Sequence, residues 1–161
     1  MAKRTAVFPG SFDPITQGHE AIILRALRIF DEIIVAVGVN IEKRYLFSVE
    51  TREKWIKHTF RDYPQVKVES YTGLTVDFCK KVGAEFIIRG LRTSADFEFE
   101  RIVGQVNKKL YSEIETVFLL AAPELTSLNS SIVRDIVING GDASIFVPEG
   151  VIITSEDLET N

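Results

Sequence analysis

Near its start the chain reads Phe8-Pro9-Gly10-Ser11-Phe12-Asp13-Pro14-Ile15-Thr16-Gln17-Gly18-His19. A hydroxyl, an imidazole and glycine N–H groups lie close together in this stretch. Glycine lets the backbone approach a ligand, and the first N–H groups of a helix have no partner of their own and favour anions. A strand entering this stretch and a helix leaving it would aim the His19 imidazole at a bound anion. More chemistry-bearing residues follow: Lys43 beside Arg44, then Arg89-Gly90-Leu91-Arg92, then Leu125-Thr126-Ser127-Leu128-Asn129-Ser130-Ser131. Cations and neutral donors of this kind suit a polyphosphate, where catalysis is mostly positioning and charge stabilisation.

Other chemistries are disfavoured. There is no Gly-Lys-Ser/Thr loop of the P-loop type and no Gly-x-Gly-x-x-Gly dinucleotide fingerprint. No serine sits in a nucleophile elbow, and no carboxylates have metal-ligand spacing, so no protein-held metal is expected. A single cysteine, Cys79, excludes an internal disulfide and a cysteine-based metal cluster. Its apolar neighbours Val76, Phe78 and Val82 predict a buried thiol. The formal net charge of -4 argues against a general nucleic-acid or acidic-membrane surface. No apolar run approaches the roughly 20 residues that span a bilayer. The start, Met1-Ala2-Lys3-Arg4, meets Pro9 and Asp13 too soon for a secretory signal, so a cytoplasmic setting is expected.

The elements that must position these residues can be read in order. Thr5–Phe8 predicts a first strand, and the apolar stripe Ile22, Ile23, Ala26, Leu27 and Phe30 predicts a helix from His19. The apolar run Ile33–Val39 predicts a strand covered on both faces. Ser48 and Glu50 announce a helix to about Arg61, with Trp55 in the core and His58 exposed. Val66–Tyr71 alternates, which predicts a strand near a sheet edge. A helix is expected over Thr75–Lys81, a strand over Phe86–Ile88 and a long helix over Ala95–Tyr111. The stripe of that long helix (Phe99, Ile102, Val103, Val106, Leu110) is expected to be core, with a contact to a neighbouring chain as the alternative. Val117–Ala121 predicts the last strand and Ile132–Ile138 the last helix. The whole chain, 1–161, reads as one domain, with an acidic tail from about residue 150 expected to fray.

The alternation of strands and helices predicts a single-domain α/β fold: a Rossmann-like, parallel, five-stranded sheet with helices on both faces. In such sheets ligands gather at the carboxyl ends of the strands, where the polar and basic loops all fall.

Thr16-Gln17-Gly18-His19 resembles the Thr/His-x-Gly-His element of the nucleotidylyltransferase superfamily. The longer string Phe8–His19, with Arg89-Gly90-Leu91-Arg92, Ala95-Asp96-Phe97-Glu98-Phe99-Glu100 and Ser130-Ser131-Ile132-Val133-Arg134, resembles the bacterial phosphopantetheine adenylyltransferases from about Thr5 to Pro148. The resemblance implies adenylyl transfer from ATP to 4′-phosphopantetheine, giving dephospho-coenzyme A and pyrophosphate in the coenzyme A pathway. It implies direct in-line attack without a covalent intermediate, with Mg²⁺ carried by the ATP phosphates. It further implies coenzyme A as a feedback ligand and a homohexamer.

By the same resemblance, His19, Ser11, Lys43 and Arg92 are the catalytic residues. ATP would meet Ser11, Phe12, His19, Gly90, Leu91, Arg92, Glu100 and the run Leu125-Thr126-Ser127-Leu128-Asn129-Ser130-Ser131. Phosphopantetheine would meet Ser11, Lys43, Leu74, Thr75 and Arg89. Three positions depart from the family pattern: Ser11 for a frequent threonine, Asn129 for a frequent serine, and Thr75 for a frequent larger apolar residue. None removes a charge. Two rivals are a nucleotidylyltransferase with another acceptor or CTP, and a non-catalytic adenylate or coenzyme A sensor.

Overall fold

The computed structural model describes residues 3–159. Five strands, β1 (Thr5–Gly10), β2 (Glu32–Gly38), β3 (Val66–Tyr71), β4 (Phe86–Leu91) and β5 (Glu115–Leu120), form one parallel sheet in the order β3-β2-β1-β4-β5. Between them run α1 (Gln17–Ala26), α2 (Val49–Thr59), α3 (Thr75–Val82) and α4 (Ser94–Leu110), and α5 (Ser130–Ile138) follows β5. Successive strand side chains point to opposite faces, and each face acquires its own helical cover. Ala6, Phe8, Ile33, Val35 and Ile88 pack with Ile22 and Ile23 of α1, Trp55 and Ile56 of α2, and Val133 of α5. Val7, Ile34, Ala36 and Ile87 pack with Phe78 and Cys79 of α3. Burial of each valine, isoleucine or phenylalanine among them stabilises the fold by about 1.5–3 kcal/mol. The five-stranded parallel sheet with two covered faces is the architecture expected from the sequence. β3 is an edge strand, as its alternation predicts, and Cys79 is buried, with its thiol pushed up to about 11 by desolvation.

Three boundaries differ in ways that matter. Helix α1 starts before His19 because Thr16 caps it, its hydroxyl accepting the His19 N–H. Strand β4 continues to Leu91 because Arg89, Gly90 and Leu91 pair with Phe118, Leu119 and Leu120. Arg89 therefore stands on a strand and not on a loop. Helix α5 begins at Ser130, with Asn129 as N-cap accepting the Ile132 N–H at 2.9 Å.

The long-helix stripe is not core. Phe99 is 66% exposed and Ile102 53%, and Val106 and Leu110 are exposed as well. The residues do share one side at helical spacing, but α4 crosses over the outer strands β4 and β5, and among the described residues no further layer covers its outer side. The C-terminal segment is placed through Glu159: Leu158 bridges to Phe47, and the Glu159 N–H donates to the Leu46 carbonyl. Residues 160 and 161 lie outside the described residues.

The sheet is split where the site forms. β1 and β4 register only at Ala6–Phe86 and Val7–Ile87, although each continues alongside its outer neighbour. Pro9 explains the break. Its carbonyl faces β4, where it accepts from Arg89 Nη1 at 2.9 Å. A strand residue's N–H and C=O point to the same side, so proline removes a ladder donor towards β4. The strand order also reverses between β1 and β4, which is where open α/β sheets bind ligands.

Candidate active site

Two cavities open over this split. One, of about 350 Å³, is lined by Phe12, His19, Gly90, Arg92, Asn129 and Ser130 among others. The second, of about 450 Å³, is lined by Asn40, Tyr45, Tyr71, Thr75, Phe99 and Asn107 among others. They share a wall made of Pro9, Gly10, Ser11, Lys43, Arg89 and Glu100.

In the smaller cavity the His19 ring is locked. Its Nδ1 accepts the Thr16 backbone N–H at 3.0 Å, while the His19 N–H bonds back to Thr16 Oγ1. This reciprocal cap uses an imidazole where glutamate is common. With Nδ1 accepting, the ring proton of the neutral form belongs on Nε2. Desolvation, followed by the nearby Arg89 and Arg92 guanidiniums, pulls the imidazole down to about 4. At neutral pH His19 is therefore an uncharged Nε2–H donor in a cationic pocket. Phe12 packs edge-on against the ring at 5.0 Å between centroids and takes a positive φ of 48°, an uncommon conformation for a bulky residue. Gly10 leaves room for it, since a Cβ there would stand a tight 3.1 Å from the Phe12 ring.

On the shared wall, Lys43 Nζ donates to Ser11 Oγ at 3.2 Å. Arg89 grips Glu100 with two bonds, Nε to Oε2 at 2.8 Å and Nη2 to Oε1 at 2.6 Å. Glu100 is buried and faces both cavities. On the far side of the smaller cavity, the helical start at Ser130 leaves the Ser130 and Ser131 N–H groups without intrahelical partners. The hydroxyl of Ser130 donates to the Pro14 carbonyl at 2.8 Å, tying this helix start to the first loop.

Most residues proposed from sequence thus meet in one place: Ser11, Phe12, His19, Gly90, Arg92, Glu100, Leu125, Leu128, Asn129, Ser130 and Ser131 around the smaller cavity, and Ser11, Lys43, Thr75 and Arg89 around the larger. Four line neither cavity. The Leu91 side chain is buried under β4, and Leu74 is exposed at the start of α3. Thr126 and Ser127 are exposed, with the Thr126 hydroxyl turned to the Pro123 carbonyl.

The sequence reading missed the residues that hold the loops in place. Asp13, 2% exposed, accepts the N–H groups of Leu46 and Phe47, each at 3.0 Å. Arg134 donates to the Asp13 carbonyl at 2.8 Å and to Ser131 Oγ at 3.0 Å. Arg52 donates to the Ser11 carbonyl at 2.7 Å. In sequence Asp13 reads only as half of an Asp-Pro turn, and Arg52 as one more polar residue of a helix. Among the described residues no cluster of three or more histidines, cysteines or carboxylates could hold a metal ion.

Comparison with known proteins gives the family. Residues 7–136 match the cytidylyltransferase-like family. The phosphopantetheine adenylyltransferase of Flavobacterium psychrophilum is 59% identical over 92% of this chain and 97% of its own length. That of Bacteroides thetaiotaomicron is 47% identical over 93% and 99%. The chain belongs to the phosphopantetheine adenylyltransferase family. A bifunctional NMN adenylyltransferase/ADP ribose pyrophosphatase from Francisella tularensis shares the fold alone, with a TM-score of 0.68 at 18% identity over 91% of this chain and 45% of that longer one. No described helix of this family member is long and apolar enough to cross a membrane.

Proposed function

We infer that this adenylyltransferase seats ATP in the smaller cavity and 4′-phosphopantetheine in the larger, and that their reacting phosphates meet at the shared wall. The observation that carries this reading is the pair of cavities divided by Ser11, Lys43, Arg89 and Glu100. An oxygen of the acceptor phosphate attacks the α-phosphorus of ATP in line. The α-phosphorus–oxygen bond to pyrophosphate breaks as the new bond forms. The nucleophile is already ionised, so no general base is required. That fits an imidazole held neutral, which can donate a hydrogen bond and does not accept a proton.

In this reading His19 Nε2–H and Ser11 hold the α-phosphate as charge moves towards the leaving group. Lys43 reaches both reacting phosphates from the wall. Arg89, already paired with Glu100, presents its remaining donor capacity to the acceptor phosphate. Arg92 and the free N–H groups at the start of α5 take the β- and γ-phosphates, as helix starts do. Magnesium enters with ATP, held by phosphate oxygens. The cationic and neutral donors of this cavity suit such a complex better than a bare cation. Thr75, whose Oγ1 is 2.8 Å from Tyr71 Oη, faces the acceptor's arm. Dephospho-coenzyme A spans both cavities, and coenzyme A, which contains the same two halves, competes there as a feedback ligand. The exposed face of α4 carries a second copy of the chain, and the family resemblance extends this to a hexamer. Light scattering at micromolar concentration should show an oligomer, and a monomer alone would remove that part of the reading.

The deciding test offers ATP or CTP with phosphopantetheine, nicotinamide mononucleotide or glycerol phosphate and follows pyrophosphate. Turnover is expected with ATP and phosphopantetheine. Turnover only with another acceptor would replace the substrate assignment. Tight ATP binding without turnover on any acceptor would make the chain a sensor.

A further inference from the structure

Arg52 is a charged side chain in an expensive place. It is 1% exposed and stands on α2, outside both cavities. Burying a charge costs several kcal/mol unless its hydrogen bonds are replaced, and apolar substitutes are often as stable or more so. No carboxylate of the described residues lies within ion-pair distance of this guanidinium. Its hydrogen bonds go to backbone carbonyls: Nη1 to Ser11 at 2.7 Å, and Nε to Phe47 at 3.1 Å and Ser48 at 3.3 Å. Its flat face covers the Tyr45 ring, 4.1 Å from the centroid.

Tyr45 leads from there to Lys43. The Asn40 N–H donates to Tyr45 Oη at 2.9 Å, and that hydroxyl donates to the Gly38 carbonyl at 3.3 Å. Lys43 Nζ lies 5.4 Å from the same ring's centroid. The Lys43 N–H closes a turn onto the Asn40 carbonyl at 3.0 Å. Arg52 thus touches the backbone of Ser11 with one nitrogen and, through Tyr45, the segment bearing Lys43. Those are the two side chains whose 3.2 Å contact forms the shared wall.

We propose that Arg52 is a positioning residue for adenylyl transfer: its buried guanidinium, stacked on Tyr45 and bonded to the Ser11 carbonyl, holds Lys43 and Ser11 in register across the seam between the two substrates. It touches neither substrate and acts through Lys43. The guanidinium fork is required, because an ammonium cannot both stack flat on a ring and donate in fixed directions to three carbonyls.

The inference rests on Lys43 serving the reaction, and the test separates the two claims. Arg52→Met keeps the stem and removes the fork, Arg52→Lys keeps the charge alone, and Tyr45→Leu removes the ring from the surface-facing side. Each is made in the wild-type chain and in Lys43→Ala, and kcat/KM for phosphopantetheine is followed by pyrophosphate release. Each variant should lose on the order of tenfold with Lys43 present and under about twofold without it, the non-additivity expected of groups acting as one unit. Arg52→Lys should not rescue. Equal losses in both backgrounds would make Arg52 a merely structural residue and overturn the proposal, as would wild-type activity in a folded Arg52→Met. If Arg52→Met does not fold, Arg52→Lys decides by the same comparison, because the Tyr45 ring also lines the larger cavity. Unchanged activity in Lys43→Ala alone would instead remove the role of Lys43 and the purpose of the clamp with it.

Discussion

The two cavities share a wall but are built differently. The smaller one takes most of its lining from within three short stretches, 10–19, 90–92 and 125–131, and its donors include Arg92, backbone N–H groups and a histidine locked by its own helix cap. The larger one is made from single residues on many elements: Asn40, Tyr45, Tyr71, Thr75, Phe99, Asn107 and Thr116. A polyphosphate is a dense, repetitive anion, so a helix start and a tight loop can meet it with local sequence. A long, flexible acceptor with few charges must be lined along its length, which only distant parts of the chain can do. Under the proposed assignment, specificity for the nucleotide's phosphates is largely local and specificity for the acceptor is assembled.

The largest effect should come from the locked histidine. His19→Ala should lower kcat by on the order of 10²-fold or more, because a donor aimed at developing charge contributes about 2.7–4 kcal/mol. The KM for ATP should move less. Steady-state kinetics within threefold of wild type would mean that the smaller cavity does not work through this local device.

The same residue makes a stability prediction. His19 titrates near 6.5 when unfolded and at about 4 when folded. Between those values the unfolded chain binds more protons, so stability is fully present above about 6.5 and declines as pH falls towards about 4. The difference amounts to roughly 3 kcal/mol. Urea unfolding at pH 7.5 and pH 4.5 should show a steeper loss in wild type than in His19→Gln, whereas parallel losses would show that burial does not hold the ring neutral.

Glu100→Gln tests whether the wall couples the two regions. It leaves the Arg89 guanidinium, partly buried, without its carboxylate. Stability should fall by about 1–2 kcal/mol, since hydrogen bonds to charged groups are worth roughly 1.5–3 kcal/mol and glutamine keeps one acceptor. The KM values for both substrates should rise together. A change confined to ATP would make Glu100 a residue of the smaller cavity alone.

The smallest effect is expected at Asn129. Its side chain caps α5 by accepting the Ile132 N–H, and serine caps about equally well. Asn129→Ser should change kcat/KM by less than about tenfold, under about 1.4 kcal/mol. A hundredfold loss with the fold intact would show that the amide itself meets substrate, and that this side of the smaller cavity reads side chains rather than backbone.

The contrast between the cavities also explains what was legible beforehand. Hydrophobic periodicity located five strands and their helices, because burial on a sheet face or helix stripe repeats at 2.0 or 3.6 residues and is written into neighbouring positions. Arg89 and Glu100 are both candidate site residues in the sequence, yet their pairing is not legible there, since a strand and a helix bring them together across 11 positions. The α4 stripe had the right period but the wrong burial, because period tells which residues share a side and says nothing of what covers it. Asp13, Arg52 and Arg134 were missed altogether as organisers of the loops. Their hydrogen bonds across 30 or more positions go to or from backbone groups, which every residue has, so no residue type at the far end could signal them.

The sequence by itself determined the alternation that makes a parallel sheet, and the local loop and helix start that suit phosphates. Those depend on interactions within a turn or two of chain, where residue type and spacing dictate geometry. Only the tertiary structure decided the neutral state of His19, which needs burial beside two arginines from β4 and its end. It alone decided the shared wall and the clasp of Arg52 across Tyr45 and Ser11. Desolvation and long-range hydrogen bonding to carbonyls depend on where the chain returns in space, and no local pattern encodes that.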